Sequence, residues 1–369
     1  MRVIMTGGGT GGHVYPAVAI ANKIKYKYKD ADIIFIGTER GLEREIVPSC
    51  GYEIRTITVS GFDRKKLHKN ISTVSKVIKG LKEADVILKD FKPDVVIGTG
   101  GYVCGPVVLA ASLKGIKTFI HEQNAFPGVT NRILSRFADV IFISFEESKK
   151  YFNSKRNKKI VLSGNPLRED FLKREFTAAK EKLGIRTKDF AIICFGGSRG
   201  AEKINEEMIN VIEVLNCIDD IKVFFVTGKV HYDLIHKEIV KRNIVLGDNI
   251  KVLDYIYNMP DYMSACDLVI SRAGALTISE ICALGKPSIL IPSPYVTGNH
   301  QYHNAKVAAD RGAAYIIEER DLSGDKIIPI IFKLKSNNIL KNRMSEQSKS
   351  LSHGNAVNII LEHIEQYLP

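Results

Sequence analysis

The chain reads as an α/β protein built from two successive doubly wound parallel-sheet domains. Three observations point there. Short apolar, β-branched runs alternate with helical patterns throughout, as strand-helix-strand units require. At 369 residues the chain exceeds what one compact core usually supports, which favours two domains of roughly 150 to 200 residues. Each half opens with a strand running into clustered glycines, ending at Gly12 and at Gly200. Crevices at the carboxyl ends of parallel strands are where such sheets take ligands, so the two are expected to face each other across a cleft.

Taken in order, the first half offers strands near 2–6, 32–37, 53–59, 94–98, 117–121, 139–143 and 159–162, with helical patterns between most of them. At Ser163 to Pro166 the pattern breaks with a glycine and an Asn-Pro step that disfavours helix. The domains are therefore expected at 1–166 and 167–352. The scheme restarts at 190–195, which runs into Gly196 to Gly200 and a long helical pattern through Leu215. Further strands fit 222–227, 250–254, 267–271, 287–292 and 313–317, and residues 356–367 read as a helix.

Hydrophobic residues at 45% and charged residues at 25% leave no disordered or low-complexity block. The six cysteines lack the paired spacing of a zinc or redox site and read as reduced core residues of a cytosolic protein. The chain starts directly in a strand, leaving no room for a leader, and no apolar run approaches the roughly 18 residues of a spanning helix. No membrane crossing is expected. The net charge of +12 is confined to one half: residues 1–166 hold 27 Lys and Arg against 15 Asp and Glu, whereas 167–369 hold 26 of each.

Part of that charge lies in residues 64–92. Leu67, Ile71, Val74, Ile78, Leu81 and Leu88 recur at helical steps, with Arg64, Lys65, Lys66, Lys69, Lys76, Lys79, Lys82 and Lys89 at other positions. Two readings stay open. Such a helix packs its apolar stripe on a sheet and shows lysines to water, or it docks on anionic lipid, at about 1 kcal/mol per Lys or Arg.

The glycine turn Gly7 to Gly12 follows a short strand and opens a helical pattern, a combination that brings backbone N–H groups close to an anion. Its spacing also satisfies the dinucleotide fingerprint. His13 beside it can move protons near neutral pH, or merely satisfy a backbone group. Gly98 to Tyr102 ends another strand in glycines, and His121 to Asn124 sets four polar residues after the strand-like Lys117 to Ile120. That cluster suits recognition of a hydroxyl-rich ligand, or caps a hydrated loop. In the second half, Ser198 and neighbouring amides of Gly196 to Gly200 suit a phosphate. Thr277 and Glu280 fall on one helix face, where a carboxylate can accept both hydroxyls of a ribose or simply meet solvent. The segment Pro292 to His303 is rich in hydrogen-bond donors.

Together these motifs resemble the GT-B glycosyltransferases, whose two domains are Rossmann-like, and within them the MurG-type N-acetylglucosaminyltransferases of peptidoglycan synthesis, family 28. Gly8 to His13, Gly98 to Tyr102, His121 to Asn124, Gly164 to Arg168, Gly196 to Ala201, Arg272 to Glu280 and His300 to Asn304 occur in the family's order, nearly end to end. The resemblance implies transfer of N-acetylglucosamine from UDP-N-acetylglucosamine to undecaprenyl-diphospho-N-acetylmuramoyl-pentapeptide, converting lipid I to lipid II.

For the donor, it implies contacts from Thr10, Gly11, Gly12 and Asn124 on the N-terminal side. Arg168 and Ser198 would meet the diphosphate, the Ile256 backbone uracil, the run Ala275, Leu276, Thr277, Ile278 and Ser279 the phosphate and sugar, Glu280 the ribose and Gln301 the sugar hydroxyls. Tyr102 and Glu122 are candidates for the acceptor side. His300 stands where some members have Gln, and no role is assigned to it. The helix at about 353–369 would return to the N-terminal domain.

Inverting transfer needs a base for the acceptor 4-hydroxyl and stabilisation of the departing diphosphate. His13 is the candidate base. Neither half offers paired aspartates beside the turns, so no metal or other cofactor is expected. The lipid acceptor implies a peripheral protein on the cytoplasmic face of an anionic membrane, held by the basic half. Alternatives are a UDP-sugar transferase with another lipid acceptor such as diacylglycerol, a nicotinamide-dependent oxidoreductase with Glu39 on the ribose, and a basic nucleic-acid-binding protein. The oxidoreductase leaves the second glycine turn unexplained. The last lacks aromatics interleaved with the basic cluster, so no nucleic acid is expected as partner.

Overall fold

Parallel strands whose both faces are covered by helices read as continuous apolar runs, and the thirteen runs of this chain become thirteen strands. A computed structural model describes residues 1–60, 70–152, 159–172, 175–197 and 200–368. The elements are β1 (Arg2–Thr6), α1 (Gly11–Lys27), β2 (Asp32–Gly37), α2 (Glu43–Ser49), β3 (Glu53–Thr56), α3 (Asn70–Phe91), β4 (Val95–Gly98), α4 (Cys104–Leu113), β5 (Lys117–Glu122), α5 (Val129–Leu134), β6 (Val140–Ile143) and β7 (Lys159–Leu162). They continue with α6 (Glu169–Leu172), α7 (Phe176–Lys182), β8 (Phe190–Phe195), α8 (Glu202–Leu215), β9 (Ile221–Val226), α9 (Tyr232–Lys241), β10 (Ile250–Leu253), α10 (Met259–Ala265), β11 (Leu268–Ser271), α11 (Ala275–Ala283), β12 (Ser288–Leu290), α12 (His300–Asp310), β13 (Ala314–Ile316), α13 (Gly324–Ser336), α14 (Asn338–Ser350) and α15 (Ala356–Glu365).

The chain divides into two compact units, one formed by Met1–Leu167 with His353–Pro369 and the other by Arg168–Ser352. The first holds a seven-stranded sheet in the order β3-β2-β1-β4-β5-β6-β7, and the second a six-stranded sheet in the order β10-β9-β8-β11-β12-β13. All pairings are parallel. Both are doubly wound, and strand order reverses between β1 and β4 and again between β8 and β11. At such a reversal neighbouring loops leave in opposite directions and open a crevice.

Two cores flank the first sheet. On one face Val14, Ala17, Ile20 and Ile24 of α1 meet Val3, Met5 and Phe119, joined by Ile360, Leu361 and Ile364 of α15. On the other, Ala84, Leu88 and Phe91 of α3 and Val107 and Val108 of α4 cover Ile4, Val96 and Ile120. Over 70–91 the basic pattern is a helix that buries Leu88 and half-buries Leu81, whereas Ile78, expected in the apolar stripe, faces outward with Lys76, Lys79, Lys82 and Lys89. Ile78 and Val86 are 52% and 65% exposed. Arg64, Lys65, Lys66, Leu67 and Lys69 lie outside the described residues.

Boundaries move where backbone donors run out. The run at 287–292 yields only β12, because Pro287 and Pro292 have no N–H to offer a ladder. The run at 53–59 yields only β3, since the Thr58 amide turns to the Glu83 carboxylate of α3. Of the cysteines, Cys104, Cys194, Cys266 and Cys282 are buried free thiols, but Cys50 and Cys217 are exposed rather than core residues. No helix among the described residues is long and apolar enough to cross a membrane.

The tightest point of the first unit is where the loops after β1 and β4 meet. The Gly8 N–H donates to Gly100 O at 3.3 Å, and Gly101, at φ +84°, lies so close that a Cβ there would sit 2.3 Å from the Gly8 carbonyl oxygen. Gly101→Ala combines a left-handed conformation with a backbone clash and is expected to cost about 2 kcal/mol or more. Urea unfolding followed by tryptophan-free tyrosine fluorescence should show the loss in the first unit's transition only.

Candidate active site

In the first unit the residues singled out by the sequence gather at the carboxyl ends of β1, β4 and β5. Thr10 precedes α1 in extended conformation and makes no side-chain cap, so the Gly11 and Gly12 amides that open the helix have no acceptor among the described residues. His13, half-buried in the first turn, sets Nδ1 3.1 Å from Gly8 O and 3.4 Å from Thr10 Oγ1. A carbonyl only accepts, so Nδ1 carries the proton and Nε2 is the basic nitrogen. The ring lies flat against Gly100, where a Cβ would come within 2.8 Å of His13 Cδ2. Thr99 Oγ1 donates to His13 O at 2.7 Å, tying the start of α1 to the end of β4. Tyr102 lies half-buried over Gly9.

The His121 to Asn124 cluster is mostly internal, which corrects its reading as a ligand-facing group. His121, Glu122 and Gln123 are buried to 0%, 1% and 2% exposure. His121 Nε2 lies 3.0 Å from Gly164 O, and Gln123 Nε2 donates to His121 Nδ1 at 3.0 Å and to Thr99 O at 2.6 Å. Burial, opposed by the bond to Gly164 and aided by charge on His13, pushes His121 down to about 4. It is a neutral brace. Glu122, expected on the acceptor side, accepts from Asn124 N, Asn124 Nδ2, Gly128 N and Asn131 Nδ2 at 2.9–3.1 Å. Its carboxylate holds Asn124, which alone of the four is half-buried, rather than facing a substrate.

In the second unit α11 starts from Gly274, whose lack of a side chain leaves the helix start uncapped. The Leu276 and Thr277 amides there have no acceptor among the described residues, so the helix offers its positive end. Ala275 and Ile278 are buried, at 7% and 2% exposure, and Ser279 Oγ turns back to Ala275 O at 3.0 Å. One turn on, Glu280 is half-buried with no hydrogen-bond partner among the described residues. Burial pushes its carboxyl up to about 7, against the pull of the Arg168 charge. Arg168 is exposed beside Phe171, 5.2 Å from the ring centroid, and α6 behind it packs on α11.

Gln301, on α12 next to α11, accepts from Ser293 N at 2.9 Å. Ile256 follows β10 with its side chain buried to 6% exposure. Ser198 lies outside the described residues.

Two features were not singled out. Glu43, at the start of α2, is buried beneath the first glycine turn and accepts from Gly9 N at 2.9 Å. Arg272 turns under the 292 loop, donating to Ile291 O at 3.2 Å and pairing with Glu319. A cavity of about 600 Å³ lies beside that pair, lined among others by Glu202, Lys203, Tyr295 and Tyr302. The donor-rich Pro292 to His303 segment lines it, with Arg272, but none of the residues assigned to the donor or acceptor does. Among the described residues no group of three or more His, Cys, Asp or Glu is gathered as a metal site.

The profile of the glycosyltransferase family 28 N-terminal domain matches residues 3–143, and that of the family 28 C-terminal domain matches 191–359. The chain belongs to glycosyltransferase family 28. It is 50% identical over 356 residues, 96% of this chain and 97% of the other, to the UDP-N-acetylglucosamine--N-acetylmuramyl-(pentapeptide) pyrophosphoryl-undecaprenol N-acetylglucosamine transferase of Caldanaerobacter subterraneus subsp. tengcongensis. The protein of the same name from Clostridioides difficile is 46% identical over 99% of this chain and 88% of its own. Among solved structures, that of Acinetobacter baumannii MurG superposes with a TM-score of 0.80 at 28% identity, covering 99% of each chain. A UDP-GlcNAc 2-epimerase from Neisseria meningitidis bound to UDP-GlcNAc shares the fold, with a TM-score of 0.71 at 15% identity over 99% of this chain and 100% of its own. Family membership sets the oxidoreductase reading aside.

Glu280 in this family 28 fold has a measurable signature. Its carboxyl is held above the ordinary 4.5, so between about pH 4.5 and 7 the native state binds more protons than the unfolded chain. Stability therefore falls as pH rises through that window. Glu280→Gln removes the fall: its thermal midpoint should lie above the parent's at ~pH 8 and converge on it near ~pH 5, as scanning calorimetry would record.

Proposed function

We propose that the chain is an inverting glycosyltransferase that moves N-acetylglucosamine from UDP-N-acetylglucosamine to the 4-hydroxyl of undecaprenyl-diphospho-N-acetylmuramoyl-pentapeptide. The observation that carries the donor half is Glu280, a half-buried carboxylate without a hydrogen-bond partner among the described residues, one turn from an uncapped helix start. A ribose supplies the two hydroxyl donors that such a group lacks, and a diphosphate supplies the anion that the helix start favours. The names of full-length relatives support the lipid-linked acceptor.

The reaction follows from these groups. His13 Nε2 takes the proton of the acceptor 4-hydroxyl as its oxygen attacks C1 of N-acetylglucosamine. The bond from C1 to the donor's β-phosphate oxygen breaks, and UDP leaves with the electron pair while configuration at C1 inverts. Arg168, Ser198 and the first-turn amides of α11 stabilise the growing diphosphate charge. Thr10, Gly11 and Gly12 are assigned to the sugar and diphosphate, and Asn124, braced by Glu122, to the N-acetylglucosamine. The Ile256 backbone reads uracil, Ala275 to Ser279 line the phosphate and sugar, Gln301 holds sugar hydroxyls, and Tyr102 faces the acceptor.

The protein works at the cytoplasmic face of the membrane as a peripheral enzyme. Supporting this are the basic first half and the exposed row Lys76, Lys79, Lys82 and Lys89 beside exposed Ile78 and Val86. Near an anionic surface each lysine contributes about 1 kcal/mol.

Radiolabel transfer from UDP-N-acetylglucosamine to a lipid I analogue tests the activity; transfer to diacylglycerol alone would select the other acceptor class. His13→Ala is expected to lower kcat by about a hundredfold or more while leaving donor KM within about twofold, and a loss confined to donor KM would remove His13 as base. Changing Lys76, Lys79, Lys82 and Lys89 to Glu should abolish co-sedimentation with anionic vesicles, and undiminished binding would reject this surface.

A further inference from the structure

The Glu43 carboxylate is buried to 1% exposure, and its hydrogen-bond partners are all neutral donors. Thr38 N and Thr38 Oγ1 donate to Oε1 at 3.0 and 2.7 Å, and Gly9 N donates to Oε2 at 2.9 Å. Among the described residues no cation pairs with it. Burying a carboxylate in this way is costly, and space is cleared for it: a Cβ on Gly8 or Gly41 would lie 2.5 or 2.0 Å from its oxygens, and one on Gly37 2.6 Å from its Cγ.

The N–H that Glu43 accepts and the carbonyl that His13 Nδ1 approaches at 3.1 Å belong to one peptide group, the amide joining Gly8 to Gly9. In a trans peptide those two groups point in opposite directions. The carboxylate and the imidazole thus stand at opposite edges of the same peptide group. An amide whose N–H donates to an anion carries more negative charge on its oxygen, because hydrogen bonds in a chain polarise one another. That oxygen in turn favours a positively charged Nδ1–H.

We propose that Glu43 is a positioning residue for His13, acting through the Gly8–Gly9 peptide to fix the Nδ1–H tautomer and raise the basicity of Nε2. This rests on the assignment of His13 as base. The titratable groups facing the site from other elements are Cys104 of α4, Tyr102 before it, and His121 of β5. Burial pushes the Cys104 thiol up to about 12, with the Glu43 charge a lesser contributor, and His121 is down at about 4. Neither changes charge near neutral pH.

The test is a nitrogen-15 NMR titration of histidine-labelled protein, with His13 assigned by the signal missing in His13→Ala. In Glu43→Gln the His13 pKa should fall by about half a unit to one unit. The acid limb of kcat against pH should move down by the same amount, and kcat near neutrality should fall about tenfold with donor KM unchanged. Thr38→Val withdraws one donor from the same carboxylate while keeping its charge, and should move the titration upward by a few tenths of a unit. If Glu43→Gln does not fold, the sign of the Thr38→Val shift decides the matter. An unmoved His13 pKa in a folded variant overturns the relay, even where kcat falls, since a merely structural Glu43 would lower kcat without moving it. Full turnover in His13→Ala would instead sink the base assignment and leave the titration standing.

Discussion

The first unit is organised by how closely two loops can approach where strand order reverses. Parallel strands all finish with backbone groups at one edge, and where β1 and β4 lie side by side their outgoing turns must share the same small volume. Glycines at 8, 100 and 101 make that possible, with one backbone hydrogen bond joining the turns and His13 lying on the second of them. Much of the polar apparatus is anchored to this contact. Thr99 ties it to α1, Cys104 donates to Gly100 O at 2.9 Å, and Gln123 reaches the Thr99 carbonyl from β5.

Where strand order reverses, the two units carry opposite electrostatic arrangements, in the first after β1 and in the second after β11, the counterpart of β4. Behind the turn after β1 stands a buried carboxylate, and the side chain presented is an imidazole. After β11 there is a bare helix start, with the exposed Arg168 charge acting on Glu280. One arrangement favours holding a proton and the other favours holding an anion. A transferase that must strip a proton from one substrate and release a diphosphate from another needs both.

The sequence carried the strands because those at the centre of each sheet are buried on both faces and so lack polar interruption; all thirteen expected runs form strands, the edge strand β3 with no buried residue, and some are trimmed at their ends by prolines such as Pro287 and Pro292. The basic pattern was legible as a helix over 70–91 from the spacing of Ile71, Val74, Ile78, Leu81 and Leu88, but spacing did not tell that Ile78 faces outward while Ala84 and Phe91 join Leu88 in the core. Polar residues were less legible. His121 and Gln123 looked like ligand contacts because a strand-terminal polar cluster has the same composition whether it points outward or is satisfied internally. Glu43 left almost no trace: its partner Gly9 is 34 positions away, and an acid at a helix start reads as an ordinary cap. The available hint was steric, in Gly37 and Gly41 on either side of Thr38, where a plain strand-helix connection needs neither.

The division of the chain bears on its synthesis. Residues 168–352 form one uninterrupted unit, whereas the first unit is closed by residues 353–369. Ile360, Leu361 and Ile364 of that segment fill the core against α1 and the sheet, and Gly164, at φ +80°, leaves room for His353 where the two passages of the chain lie together. Domains usually complete themselves in the order they leave the ribosome. Here the order inverts: the half that begins first must wait, with part of its apolar surface uncovered, until the other half has been made in full. A chain that ends at residue 352 carries the second unit in full joined to an unfinished first one, a species for chaperones and proteases to sort.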